Sequence, residues 1–292
     1  MASEQAVYNG MTAAELEHEY NFRARIPEHT DFIARWGADS AGMRARLRGH
    51  LNLAYGPHPR QRIDLFPAGE GAPQGAPLFV FIHGGYWRGL SKDEFSFLAD
   101  LFVGDGVAVA TVGYGLCPDV TLEELTGHVR DAVVWLAAHA GDYGADARRM
   151  VLAGHSAGGH LTAEMLSTDW TAHGLPRDLI KGGIGIAGLY DLEPVRHTSV
   201  QEQLRLDADS ARRASPIHHI PAPPAPPLVL AVGGAGTAEE LRQQAAYAAA
   251  WRAAGNDVEE IVVPDAHHFS VVDRLADPAS RLYKAATRLL GT

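Results

Sequence analysis

The sequence predicts one α/β domain: a mainly parallel central sheet, helices on both faces, and a small cap region. Three observations carry this prediction. From Leu78 onward, short apolar runs alternate with longer helical stretches, the signature of repeated strand–helix–strand units. A serine flanked by glycines stands where one apolar run ends and a helical stretch begins. With 292 residues, 46% of them hydrophobic, the chain suffices for one large core. The domain is read as 1–292, with 1–50 as an N-terminal helical segment and 189–215 as a candidate cap.

Residues 11–50 carry Leu16, Tyr20, Phe22, Phe32, Ile33, Trp36 and Leu47 at loosely helical spacing and are expected to pack over the main domain. Arg44, Arg46 and Arg48 read as a solvated face rather than a phosphate site. Residues 60–66 set Gln61, Ile63 and Leu65 against Arg62, Asp64 and Phe66, which predicts a half-buried hairpin or edge strand; a Pro/Gly-rich loop, 67–77, follows. Buried strands are predicted at 78–82, 107–112, 150–153, 183–187, 228–232 and 258–263, with helices at 92–102, 122–139, 158–166 and 238–254. The polar stretch 189–215, with a short helix near 200–206, is placed to cap the strand ends. The proline-rich run 215–227 lacks the N–H groups a helix needs and reads as a stiff extended connection.

Composition narrows the function classes. Acidic residues outnumber basic ones 35 to 25, for a net charge of −10, which argues against a nucleic-acid surface. No stretch approaches the length of a membrane span, and residues 1–10 lack the basic and apolar regions of a signal peptide. Cys117 is the only cysteine, which fits a reducing cytoplasm and reads as a buried structural thiol. The expectation is a cytoplasmic protein whose partner is a small-molecule substrate, with no nucleic acid, no membrane, and a homodimer as the candidate assembly.

The run 150–153 ends in Gly154-His155-Ser156-Ala157-Gly158, and helical character continues to Leu166. This is G-x-S-x-G in a strand-to-helix setting, where a sharp turn holds the serine exposed above the sheet. A glycine-rich structural turn has the same short pattern; the flanking elements and the partner motifs favour Ser156 as nucleophile. Strand 78–82 runs into His83-Gly84-Gly85-Tyr86-Trp87. Backbone without side chains can aim its N–H groups at a carbonyl oxygen, so Gly84, Gly85 and the N–H of Ala157 are the candidate oxyanion hole. His83 reads as a loop-orienting residue. Tyr86 and Trp87 line a substrate pocket or simply pack the loop.

The last predicted strand leads into Pro264-Asp265-Ala266-His267-His268-Phe269, and a histidine here fits the chain order Ser, acid, His. The acid belongs in the loop after strand 228–232, which reads Gly233 to Glu240. Glu240 is assigned to a capping box with Thr237 as N-cap. Glu239 is the nearest remaining candidate, and Asp191, Asp265 or no acid at all stay open. There is no H-E-x-x-H, His155 and His160 are not spaced for one, and no phosphate-binding glycine motif opens a helix. No cofactor and no metal are implied.

At these residues the chain resembles the arylformamidase (kynurenine formamidase) branch of the α/β-hydrolases, close to the hormone-sensitive-lipase-like esterases. The likeness rests on His83 to Trp87, Lys92 to Ser96, Gly154 to Leu161, Gly188 to Leu192, Thr198 to Val200, Leu204 to Asp207 and His268-Phe269, and spans about residues 50–275. It implies an α/β-hydrolase fold and hydrolysis of an N-formyl arylamine such as N-formylkynurenine, with Ser156 as nucleophile and His268 as base. The family's acid falls on Gly236. The first expectation is therefore a serine hydrolase cleaving an aryl formamide or small aryl ester through an acyl-enzyme. A general carboxylesterase, and a hydrolase-fold protein that binds without turnover because its acid seat is empty, are the alternatives.

Overall fold

The computed structural model describes residues 5–72 and 74–292; Met1–Glu4, at the start of the chain read for a signal peptide, and Pro73 of the 67–77 loop lie outside the described residues. An N-terminal group of helices, α1 (Ala13–Tyr20), α2 (Phe22–Arg25) and α3 (His29–Arg46), precedes a hairpin of β1 (His50–Ala54) and β2 (Arg62–Phe66). The body follows as β3 (Ala76–Ile82), α4 (Ala99–Gly104), β4 (Ala108–Val112), α5 (Leu122–His139), β5 (Ala145–His155) and α6 (Ala157–Ser167). It continues as β6 (Ile180–Ile186), α7 (Gln201–Leu204), α8 (Ala208–Arg213), β7 (Leu228–Gly233), α9 (Ala238–Ala253), β8 (Val258–Val263) and α10 (Arg281–Leu290).

The strands form one eight-stranded sheet in the order β1-β2-β4-β3-β5-β6-β7-β8, parallel from β4 to β8, with β2 antiparallel to both its neighbours. This is the α/β-hydrolase fold. Every residue of β3, β4 and β7 is buried, because helices cover both faces and leave no side to water. β8 closes the sheet with a partly exposed edge whose Glu259 and Glu260 pair with Arg252, Arg281 and Arg288, charge that blunts an open edge.

Some expectations change. β2 forms the expected hairpin, with β1 as its partner at the edge of the sheet, but it is buried rather than half-buried, and Asp64 lies inside. Lys92 reaches Asp64 Oδ1 at 2.8 Å and the N–H of Asn52 donates to the same oxygen at 2.7 Å, so the charge is paired where it lies. The helix expected at 92–102 is two short 3₁₀ turns before α4, and β1 and α10 were not anticipated. α10 buries Leu282, Tyr283, Ala285, Ala286 and Leu290 along one face, starts on the Ser280 hydroxyl and stops at the left-handed Gly291 (φ 71°). Cys117 is buried and free, and burial raises its thiol to about 11, so it is neutral at physiological pH. No helix among the described residues is long and apolar enough to cross a membrane.

Candidate active site

Residue 156 occupies the junction of β5 and α6 with φ 55° and ψ −117°, a conformation a serine holds only when its surroundings force it. The Ser156 N–H donates to Ile186 O at 2.8 Å and its carbonyl accepts from the His160 N–H at 3.1 Å, which pins the turn at both ends. The turn is possible because Gly158 touches the end of β3: a Cβ there would sit 2.0 Å from Ile82 O. The hydroxyl therefore projects from the carboxyl end of the sheet, over the amino end of α6.

His268 comes from the loop after β8. Its Nε2 lies 3.1 Å from Ser156 Oγ, and its Nδ1 lies 2.6 Å from Glu240 Oε1. All three side chains are almost fully buried. His267 turns away: its Nδ1 accepts the N–H groups of Phe269 and Ser270, and its Nε2 is 4.0 Å from Glu28.

The carboxylate facing His268 is thus Glu240, and not Glu239 as expected. Thr237 caps α9 by accepting from the Glu240 N–H at 3.1 Å, and Glu240 Oε2 accepts the Thr237 N–H at 2.9 Å. The capping role assigned from sequence is real, but a carboxylate has two oxygens, and the second faces the imidazole. Glu239 points the other way. It accepts from the Tyr20 hydroxyl at 2.7 Å and from Arg242 at 2.6 and 2.8 Å, tying α1 to α9. Asp191 accepts from the Tyr8 hydroxyl at 2.7 Å, and Asp265 is exposed. Gly236 is not a vacated acid position: a Cβ there would lie 2.9 Å from Gly233 O and 3.0 Å from Glu240 Oε2, so the bare residue leaves room for the glutamate one turn on.

Gly84 packs directly on the serine; a Cβ on it would stand 3.2 Å from Ser156 Cβ and 2.7 Å from His155 O. The backbone N–H groups of Gly84, Gly85 and Ala157 donate to no acceptor among the described residues. Unspent donors beside a buried hydroxyl are what a developing oxyanion needs. Tyr86 lines the cavity at Ser156, whereas Trp87 does not, contrary to the pocket role expected for it. The Trp87 ring is fully buried behind the loop, where Nε1–H donates to His160 Nδ1 at 3.1 Å, because a buried indole N–H must find an acceptor.

The cavity over Ser156 is small, about 20 Å³. Phe22, Ile33, Trp36, Tyr86, Leu90 and Phe269 wall it, and Phe22 stacks on the His268 ring with centroids 3.9 Å apart. Half of these residues belong to the N-terminal helices, so that segment, more than the expected cap at 189–215, roofs the serine. Of the expected cap, residues 198–200 line a second small cavity beside the first, together with Arg23, Tyr86 and Arg88. A larger cavity of about 440 Å³, lined by Thr126, Leu204, Leu206 and Arg213, contains none of Ser156, His268 and Glu240.

Three further histidines are buried around the site. His83 donates from Nδ1 to Gly84 O at 2.7 Å and stacks on Tyr114; His155 donates from Nε2 to His268 O at 2.8 Å; His160 donates from Nε2 to Ala214 O at 2.8 Å. Sequence reasoning gave His83 its loop-orienting place but missed His155, which holds the backbone of the facing histidine. Burial pushes all three below the usual histidine range, His83 to about 3. They stay neutral in the folded chain and take up protons once unfolded, so stability is full above pH 6.5 and falls as pH drops below it. His83 alone contributes about 1.4 kcal/mol between pH 7.5 and pH 5.5, and His155 and His160 act in the same direction, so urea unfolding should show lower stability at pH 5.5 than at pH 7.5. A stability unchanged between these pH values would contradict the neutral assignment.

Among known proteins, the chain matches the BD-FAE family model over residues 63–181. It is 32% identical over 245 residues to the kynurenine formamidase of Danio rerio, covering 82% of each chain. A solved Silicibacter sp. structure whose description proposes a thioesterase is 38% identical, with a TM-score of 0.80 over 94% of this chain and 99% of that one. An esterase from Pyrobaculum calidifontis, 17% identical with a TM-score of 0.67 over 90% and 91%, shares the fold.

Proposed function

This chain belongs to the kynurenine formamidase family and is a hydrolase of formamide or ester bonds, and from that premise we propose that it is a serine hydrolase cleaving an aryl formamide of the N-formylkynurenine type. The observation that carries the formamide over a bulkier ester is the small size of the cavity at Ser156, about 20 Å³, which favours a short acyl group. The aromatic wall of Phe22 and Tyr86 suits a flat leaving arm.

In the proposed mechanism, Ser156 Oγ attacks the formyl carbon as His268 Nε2 takes its proton, and Glu240 holds the imidazole by its Nδ1–H and stabilises the imidazolium. The carbonyl oxygen, now an oxyanion, receives the N–H groups of Gly84, Gly85 and Ala157. His268 then gives its proton to the arylamine nitrogen, the C–N bond breaks, and Ser156 is left as its formyl ester. A water deprotonated by His268 attacks that ester, releasing formate and restoring the hydroxyl. No metal-ligating cluster exists among the described residues, and no step calls for one. We also propose a small-molecule substrate as the main partner and, on the free thiol of Cys117, a cytoplasmic location.

The test is formate release from N-formylkynurenine, compared with hydrolysis of phenyl acetate, phenyl butyrate and an acetyl thioester. The reading expects kcat/KM highest for the formamide and falling as the acyl group lengthens. A preference for butyrate, or for the thioester, would instead favour a general carboxylesterase or a thioesterase.

A further inference from the structure

Arg23 stands next to Phe22 on α2 and lines both the Ser156 cavity and the small cavity beside it. Its side chain is exposed and lies against the loop that follows the oxyanion glycines, with Nη2 3.7 Å from where a Gly89 Cβ would be. The acids nearby are engaged elsewhere. Glu17 accepts from the Ser199 N–H and hydroxyl and from Asn21; Glu19 faces Arg25 at 3.8 Å and accepts the Glu239 N–H; Glu239 is held by Arg242. Arg88, the other cation of the second cavity, bonds the neutral Gln203 side chain. So a chain of net charge −10 presents, at the mouth of its candidate active site, a guanidinium that no carboxylate among the described residues pairs with.

We propose that Arg23 is a specificity-determining residue that binds a carboxylate on the leaving arm of the substrate. A guanidinium offers paired N–H donors matched to the two oxygens of a carboxylate. The leaving arm is where such a carboxylate would sit, because Arg23 lines the small cavity over Ser156 and also the second cavity beside it. The assignment rests on the hydrolase reading above and refines its substrate: an aryl formamide or ester bearing an acid.

Two matched substrate pairs test it: N-formylkynurenine with its methyl ester, and 3-carboxyphenyl acetate with phenyl acetate. In the wild-type chain the carboxylate-bearing member of each pair should be preferred. Arg23→Gln should lower the ratio of kcat/KM for the carboxylate-bearing member to that for its partner by about tenfold, chiefly through KM, the size expected for losing one charge-assisted contact. Arg23→Lys should keep most of the ratio, and 0.5 M NaCl should shrink it in the wild type. If Arg23→Gln leaves the ratio unchanged while formate is still released, the Arg23 assignment is overturned and the formamidase reading stands. If neither formamide is cleaved but the ester pair shows the Arg23-dependent ratio, the formamidase reading fails and the carboxylate assignment stands.

Discussion

Glu240→Gln should lower kcat on the formamide about 10⁴-fold, the loss seen when a triad histidine is deprived of its orienting acid. The glutamine keeps a carbonyl oxygen able to accept the Thr237 N–H, so α9 retains its cap and the fold survives. What it loses is the negative charge 2.6 Å from His268 Nδ1, which favours the tautomer with its lone pair toward Ser156 and stabilises the imidazolium. The same change at Glu239 is the control. That side chain bonds Tyr20 and Arg242, so Glu239→Gln should lower the melting temperature while turnover falls by less than about tenfold, because it touches neither His268 nor Ser156. Steady-state kinetics and thermal unfolding of both variants check the pair. Equal losses of turnover would remove Glu240 from its proposed role.

Ser156→Ala should have the larger effect, about a 10⁶-fold loss of kcat, with the remainder due to the oxyanion donors and substrate positioning. Alanine meets the same positive φ as serine, and the backbone bonds to Ile186 and from His160 are unaffected, so the variant should fold. The measurement is formate release at high enzyme concentration, with an unchanged circular dichroism spectrum as the control. A loss of less than a hundredfold would mean that water is activated without a covalent intermediate.

The sheet was legible because its strands are buried on both faces and so read as unbroken apolar runs, 78–82 and 228–232 most plainly. The serine and its histidine were legible because each directly follows a predicted strand, Ser156 at the end of β5 and His268 in the loop after β8. The edge strand β1 was not, since its residues are largely exposed and carry no alternation to detect. The burial of Asp64 was not legible, because alternation cannot reveal that Lys92, distant in sequence, would meet it inside. Glu240 was misjudged for a different reason. The capping box was recognised and treated as a complete explanation, although a cap occupies one carboxylate oxygen and leaves the other to point along the end of the sheet. The roof of the site could not be read from periodicity: Phe22 and Trp36 look like any other buried aromatics of a helical segment, and only the fold places Phe22 on the imidazole.

The most direct measurement is the site of covalent capture. Treated with a fluorophosphonate and digested, the protein should yield one modified peptide, carrying the phosphonyl group on Ser156, and the Glu240→Gln variant should be labelled far more slowly. A protein that releases formate yet is left unmodified, or is modified at another residue, would contradict the assignment of Ser156 as the hydroxyl that attacks.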